Sequence, residues 1–277
     1  MTTEIANHEQ YETWNGDEGR HWALSQPRYD AMLEPLTAPL LDAAALAPGD
    51  RVLDVGCGCG ATTRAAAARA AGGEALGVDL SGPMLERATL LADDEGIRNA
   101  RFLRADAQTY AFPPASHDAL VSRLGMHVFA DPPAAFGNLA AALRPGARLA
   151  FLSWQHPRNS EFARVPALAL RGTEPSGEGQ AFSLSDPARV RALLAGAGFT
   201  GVAVEAVEVS LRVGDTPLDA VEFMAGTGAL RTALASADHP ARERARHVLT
   251  EALEPYASPD GVRLGAALWL TTARRAG

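Results

Sequence analysis

Hydrophobic positions change their period along this chain, and the changes divide it into elements. Val52, Leu53 and Val55 form a short run of β-favouring residues, the mark of a strand buried on both faces. Gly56, Gly58 and Gly60 follow at once, where a backbone without Cβ can turn sharply and admit a ligand closely. Ala61 to Ala71 has high helix propensity. Glu74 to Asp79 predicts a second strand that ends in an acid. Ser81 and Pro83 then start a helix running to about Glu95. Arg101 to Arg104 and Asp118 to Ser122 predict the third and fourth strands. Pro132 or Pro133 opens a helix with Phe136, Leu139 and Leu143 on one face, and Arg144-Pro145-Gly146 turns into a fifth strand, Arg148 to Trp154.

Downstream the pattern shifts. Asp186 to Ala197 predicts a helix capped by Ser185 or Asp186, with Val190, Leu193 and Leu194 inward and Gly198 as its stop. Gly201 to Val213 alternates as a strand, 218–236 and 240–256 have helical spacing, and Val262 to Arg274 alternates again. Upstream, residues 8–28 carry Trp14 and Trp22. Tyr29 to Leu46 places Met32, Leu33, Leu36 and Leu40 at helical spacing. Pro35 and Pro39 interrupt it, which predicts kinks or two short helices. Strands alternating with helices imply an α/β, doubly wound, mostly parallel sheet. The expected organisation is one domain, 1–277: a lid at 1–46, core at 47–155, a cap loop at 156–185, a core helix and strand at 186–213, a helical cap at 214–258, and a final strand at 259–277.

Ligands in such folds bind at the carboxyl ends of the strands, so the turn after Val55 is where chemistry is expected. Gly56-x-Gly58-x-x-Ala61, with Asp79 about 20 residues on, also satisfies a relaxed dinucleotide fingerprint. Asp54 separates the two readings. A carboxylate beside a pyrophosphate is repelled, whereas one beside an ammonium or sulfonium is attracted. Cys57 and Cys59 lie too close for an unstrained disulfide and are too few for a structural zinc, so they read as small buried filler, and no metal is expected.

Composition narrows the partners. At 277 residues and 47% hydrophobic, the chain can bury a large core. A formal charge of −8 without a basic block argues against nucleic acid, which requires phosphate-neutralising Lys and Arg. No run is apolar enough to span a bilayer, the first residues lack a secretory pattern, and the two cysteines suit a reducing compartment, so a cytoplasmic location is expected. Nothing in the pattern gives the oligomeric state.

Taken in order, Trp14-Asn-Gly, Val52-Leu-Asp-Val-Gly-Cys-Gly, Gly77-Val-Asp-Leu-Ser, Met84-Leu, Ala105-Asp-Ala-Gln, Ser122-Arg, Leu143-Arg-Pro-Gly and Ser153-Trp154 resemble the class I S-adenosylmethionine-dependent methyltransferases, in their small-molecule, natural-product branch. The resemblance implies a seven-stranded Rossmann-like sheet with its last strand antiparallel, and a helical cap between the sixth and seventh strands. It implies S-adenosylmethionine as cofactor and a small methyl acceptor as partner. Gly56, Gly58 and Gly60 would lie under the methionine part and Asp54 near its ammonium. Asp79 would accept the ribose hydroxyls, and Leu80 and Met84 would pack on adenine. Asp106 and the Ala107 N–H would meet the adenine edge. Ser122 and Arg123 would stand beside the sulfonium, with Trp14 closing over the site. Ala147 departs from a usual glycine, and His127 stands where an apolar residue is commoner.

Methyl transfer needs positioning and exclusion of water, and a base only where the acceptor must lose a proton. His127 follows the fourth strand and His156 the fifth, both at the carboxyl edge, so both are candidate catalytic residues; the rival reading is a hydrogen-bonded structural histidine. Phe129, Trp154, Phe162, Phe182, Phe223 and Met224 are expected to line an acceptor pocket. A cyclase or pericyclase on the same fold is the alternative function, and a dinucleotide oxidoreductase a more distant one.

Overall fold

The computed structural model describes residues 5–171, 175–226, 230, 231, 234 and 237–277. Its strands are β1 (Arg51–Val55), β2 (Glu74–Asp79), β3 (Ala100–Arg104), β4 (His117–Arg123), β5 (Leu143–Trp154), β6 (Phe199–Gly214), β7 (Ala257–Ser258) and β8 (Gly261–Arg275). They form one sheet in the order β3-β2-β1-β4-β5-β8-β6, with the two-residue β7 pairing β8 off this path. Among the described residues the count is thus eight strands, seven of them in the main path. β1 to β5 pair in parallel, and β8 enters antiparallel between β5 and β6. The order reverses between β1 and β4, which places the ligand crevice at the carboxyl ends of those strands.

Side chains alternate faces along each strand, and the core divides accordingly. Val52, Val121, Ala150 and Leu152 pack with Leu36, Leu40, Ala66 and Leu253 on one face. Leu53, Val55, Leu120, Leu149 and Phe151 pack with Phe136, Leu139, Val190 and Leu194 on the other. The first face is covered by α3 (Gln26–Leu33), α4 (Thr37–Ala43), α5 (Ala61–Arg69) and α6 (Gly82–Asp94). The second is covered by α7 (Pro132–Ala142) and α9 (Pro187–Gly196). Ser81, Asp131 and Asp186 each accept a backbone N–H at the start of α6, α7 and α9, with a proline in the first turn of each.

Upstream lie α1 (His8–Asn15) and α2 (Asp17–Leu24). The run from Tyr29 to Leu46 is broken as Pro35 and Pro39 demand: α3, a 3-10 turn at Glu34–Leu36, then α4. α8 (Glu161–Arg171) follows β5, and α10 (Pro217–Ala225) and α11 (His239–Leu253) lie between β6 and β8, where a cap was expected. In the stretch predicted as helix over 218–236, α10 ends at Ala225, Leu230, Arg231 and Leu234 are again helical, and most of the remainder lies outside the described residues. Leu143 does not belong to the α7 face: it starts β5, pairing His117, and the register shifts before Arg148 because 144–146 bulges.

The turn after β1 depends on Gly56. Its φ is +69°, and a Cβ there would stand 2.7 Å from the Gly125 Cα of the loop after β4. Left-handed backbone costs a non-glycine residue about 1–2 kcal/mol before any clash. Gly56→Ala should therefore lower the melting temperature by at least about 2–4 °C. A thermal melt indistinguishable from that of the parent chain would show that the two backbones separate without cost.

Candidate functional site

A cavity of about 570 Å³ opens at the carboxyl edge of the sheet. Four of the five parallel strands deliver their last residue to it, Val55, Asp79, Arg123 and Trp154, and Ala105 follows directly on β3. Gly56 and Gly58 form part of the wall, with Leu80, Met84, Asp106, Ala107 and Trp14. A larger hollow of about 820 Å³ lies between α8 and the β6–β8 strands, and it contains none of the strand-end acids.

The backbone after β1 is organised around Asp79. Gly56 N–H donates to the Val78 carbonyl at 2.8 Å, which carries the turn past the end of β2. Gly58 N–H then donates to Asp79 Oδ2 at 2.8 Å, and Ser81 N–H donates to Asp79 Oδ1 at 2.9 Å. Each carboxylate oxygen keeps a second lone pair for another donor. Burial raises the Asp79 pKa, and these backbone donors oppose the shift.

Asp54 is placed differently from expectation. Alternation turns it to the face of Val52, beneath α5, and it is fully buried outside the cavity wall. Thr63 Oγ1 donates to its Oδ2 at 2.6 Å, while its Oδ1 has no hydrogen-bond partner among the described residues. Burial pushes its pKa up to about 7, against the opposing effects of Thr63 and the Arg123 charge. Asp54 is therefore a strut beneath the glycine turn.

Ser122 is also corrected. It is fully buried, its Oγ donates to the Val55 carbonyl at 2.6 Å and accepts from Gly125 N–H at 3.1 Å, and it stays off the wall. It staples β1 to the loop after β4. Arg123 does reach the cavity, with Nη1 donating to Thr37 Oγ1 at 2.8 Å and to the Leu33 carbonyl at 3.2 Å. Gly60 is not in the wall either; it starts α5 with φ +77° and packs against Phe102.

The two histidines separate. His127 lies in the wall, its Nδ1 has no partner among the described residues, and burial pushes its pKa down to about 4, so it is neutral near pH 7. His156 lies off the wall. It caps the 3-10 turn Pro157–Asn159, its Nδ1 accepting from Arg158 N–H at 3.3 Å. The candidacy of His156 ends there.

Aromatic residues close the far end. Trp22 stacks on Tyr29 with centroids 3.7 Å apart, Trp14 meets Trp22 edge-on at 5.6 Å, and Trp154 stacks on Phe162 at 5.7 Å. Phe129, Phe223 and Met224 complete the wall as expected, but Ala181 takes the place foreseen for Phe182. Sequence reasoning missed Asn7, Glu18, Tyr29 and Arg231. Glu18 and Arg231 form an ion pair at 2.6 Å in the cavity wall, joining α2 to the segment after α10. A pairing across 213 positions leaves no local signal.

The raised Asp54 pKa has a signed consequence. Between about pH 4 and pH 7 the folded protein holds a proton at Asp54 that the unfolded chain releases, so this group's stabilisation is lost as pH rises through that window. His127 acts oppositely, since its lowered pKa costs stability as pH falls from about 6.5 to 4. Melting the cofactor-free chain beside Asp54→Asn isolates the first effect. The variant should gain on the parent by a few kcal/mol from pH 4 to pH 7, and a difference independent of pH would refute the assignment.

Comparison with known proteins agrees with this geometry. Residues 52–146 match the family model described as "Methyltransferase domain". The chain is 32% identical over 184 residues to demethylmenaquinone methyltransferase of Thermus thermophilus, covering 60% of this chain and 83% of that one. It is 34% identical over 126 residues to nocamycin O-methyltransferase of Saccharothrix syringae, covering 44% of this chain and 45% of the relative. It is 34% identical over 120 residues to aklanonic acid methyltransferase DauC of a Streptomyces species, covering 43% and 54%. The chain thus spans about half the length of these last two relatives. The YcgJ protein of Bacillus subtilis superposes with a TM-score of 0.60 at 19% identity, over 88% of this chain and 99% of that one. The [4+2]-cyclase SpnF superposes at 0.58 and 18% identity, over 94% and 97%. Glycine turn, strand-end acids and relatives converge: the chain belongs to the class I S-adenosylmethionine-dependent methyltransferases of the small-molecule type, with S-adenosylmethionine as its cofactor.

Proposed function

We propose that this protein moves a methyl group to a small, partly hydrophobic acceptor of the secondary-metabolite kind by in-line displacement. The observation that carries the reading is the continuity of the cavity. One space runs from Asp79 and the glycine turn to the aromatic wall of Trp22, Phe129, Trp154 and Phe223, with His127 also in its wall. The cofactor supplies an electrophilic methyl on a sulfonium.

The chain's residues then divide the work. Gly56 and Gly58 offer backbone to the methionine part, and Asp79 has two lone pairs left for the ribose hydroxyls. Leu80 and Met84 would pack on adenine, and Asp106 and Ala107 would stand at its edge. Trp14 covers the site, its Nε1 fixed by Gln10 Oε1 at 2.9 Å. Lid and cap exclude water, so that alignment of the acceptor does most of the catalytic work. His127, neutral and in the cavity wall, orients the acceptor and takes its proton where a hydroxyl or acidic carbon is methylated.

The relatives suggest where to look for the acceptor. Their names point to a quinone precursor and to natural products such as nocamycin and aklanonic acid. The test offers radiolabelled-methyl S-adenosylmethionine with demethylmenaquinone and with aklanonic acid as probes. Label should enter an acceptor with the parent chain. His127→Ala should lower turnover by about 10²-fold or more, with cofactor affinity preserved. Turnover equal to the parent's would remove His127 from the mechanism, and an unlabelled cyclised product would favour the cyclase reading instead.

A further inference from the structure

The adenine end of the cavity is where this chain departs from what its family resemblance implies. Asp106 is 1% exposed and Asn7 4% exposed, and both lie in the cavity wall. Asp106 Oδ2 accepts the N–H groups of Ala6 and Asn7, each at 2.9 Å. Its Oδ1 accepts Asn7 Nδ2 at 2.7 Å and Gln108 N–H at 3.0 Å. An ionised carboxylate offers about four lone-pair sites, so these donors fill it. Nothing is left for an adenine amino group.

Asn7 is bound at its other end too. Its Oδ1 accepts Ala130 N–H at 2.5 Å, so one side chain bridges the loop after β3 to the loop after β4. Further along, the lid is fastened independently at the ribose side. Asn15 Nδ2 donates to the Leu80 carbonyl at 3.0 Å, Asn15 Oδ1 accepts Gly82 N–H at 3.0 Å, and Ser81 Oγ donates to the Trp14 carbonyl at 2.6 Å. The segment before α1 can therefore leave Asp106 while the lid stays attached beyond it. Of the four donors on Asp106, the Gln108 N–H lies two residues away on the same loop and is held in place. The three from Ala6 and Asn7 come from an irregular segment 99 or more positions distant in sequence.

We propose that Asn7 is a latch on the adenine seat: its donors and the adenine amino group compete for the Asp106 carboxylate, so cofactor entry releases residues 5–7. The competition follows from saturation of the carboxylate, and it makes Asn7 a determinant of cofactor exchange. A latch closed nine parts in ten would weaken apparent affinity about tenfold.

The test uses the full chain and S-adenosylhomocysteine. Calorimetry gives affinity, and amide hydrogen exchange follows Ala6 and Asn7 with and without the ligand. In the parent chain both amides should lose protection on saturation. Asn7→Ala should bind about three- to tenfold more tightly, and a chain lacking residues 1–7 should show the same gain. The S-inosyl analogue, which lacks the amino group, should not gain from Asn7→Ala. Protection that rises on saturation overturns the proposal, as does affinity that falls or stays level in both variants. An equal gain for the inosyl analogue also overturns it.

Discussion

Carboxylates at the ends of parallel strands set the terms for the rest of this structure. Asp54, Asp79 and Asp106 are withdrawn from water, and each must be given donors that water no longer supplies. The chain answers each in a different way. Thr63 comes down from α5 to Asp54, the glycine turn and Ser81 bring backbone N–H groups to Asp79, and the segment before α1 comes across to Asp106. The path of the turn, the start of α6 and the docking of the amino-terminal tail all follow from these needs.

The second constraint is close approach. Gly56 and Gly125 bring two loops to within a Cβ of each other, and Ser122 locks that approach from beneath with one hydroxyl used as donor and acceptor. The floor of the cavity is therefore backbone, held by a buried side chain that never touches the occupant. The roof is built otherwise. Trp14, Trp22 and Tyr29 pack on one another, Tyr29 meets Phe223 of α10, and the Glu18–Arg231 pair ties α2 to the segment after α10. Floor and roof are thus built by different means, backbone below and separate side chains above.

Much of the floor could be read from order and spacing. The strand before Gly56, Asp79 at the end of β2, Ser81 as cap, and Leu80, Met84, Asp106 and Ala107 beyond it stand where local pattern places them. Asp54 and Ser122 were legible as residues of the motif but not as to role. Their side chains turn under the sheet edge, and which face a strand-end residue takes depends on the neighbour that receives it. His156 shares the carboxyl edge with His127, yet the chain bends immediately into a 3-10 turn and uses that imidazole as its cap. Asn7 and Arg231 carried no signal, because each gains its meaning from a partner far away in sequence.

By itself the sequence determined the α/β alternation, the glycine turn and the acids at the strand ends, and the family resemblance carried by these motifs implied the cofactor. These are consequences of short-range pattern: apolar period, missing Cβ atoms, and charge at a predictable place on a strand. Tertiary structure alone decided that β8 runs between β5 and β6, that Asp54 is a strut, and that His127 rather than His156 faces the cavity. It alone showed that the carboxylate of Asp106 is already full. Those outcomes rest on desolvation and on hydrogen bonds between residues about a hundred positions apart, and such energies exist only once the chain has closed around them.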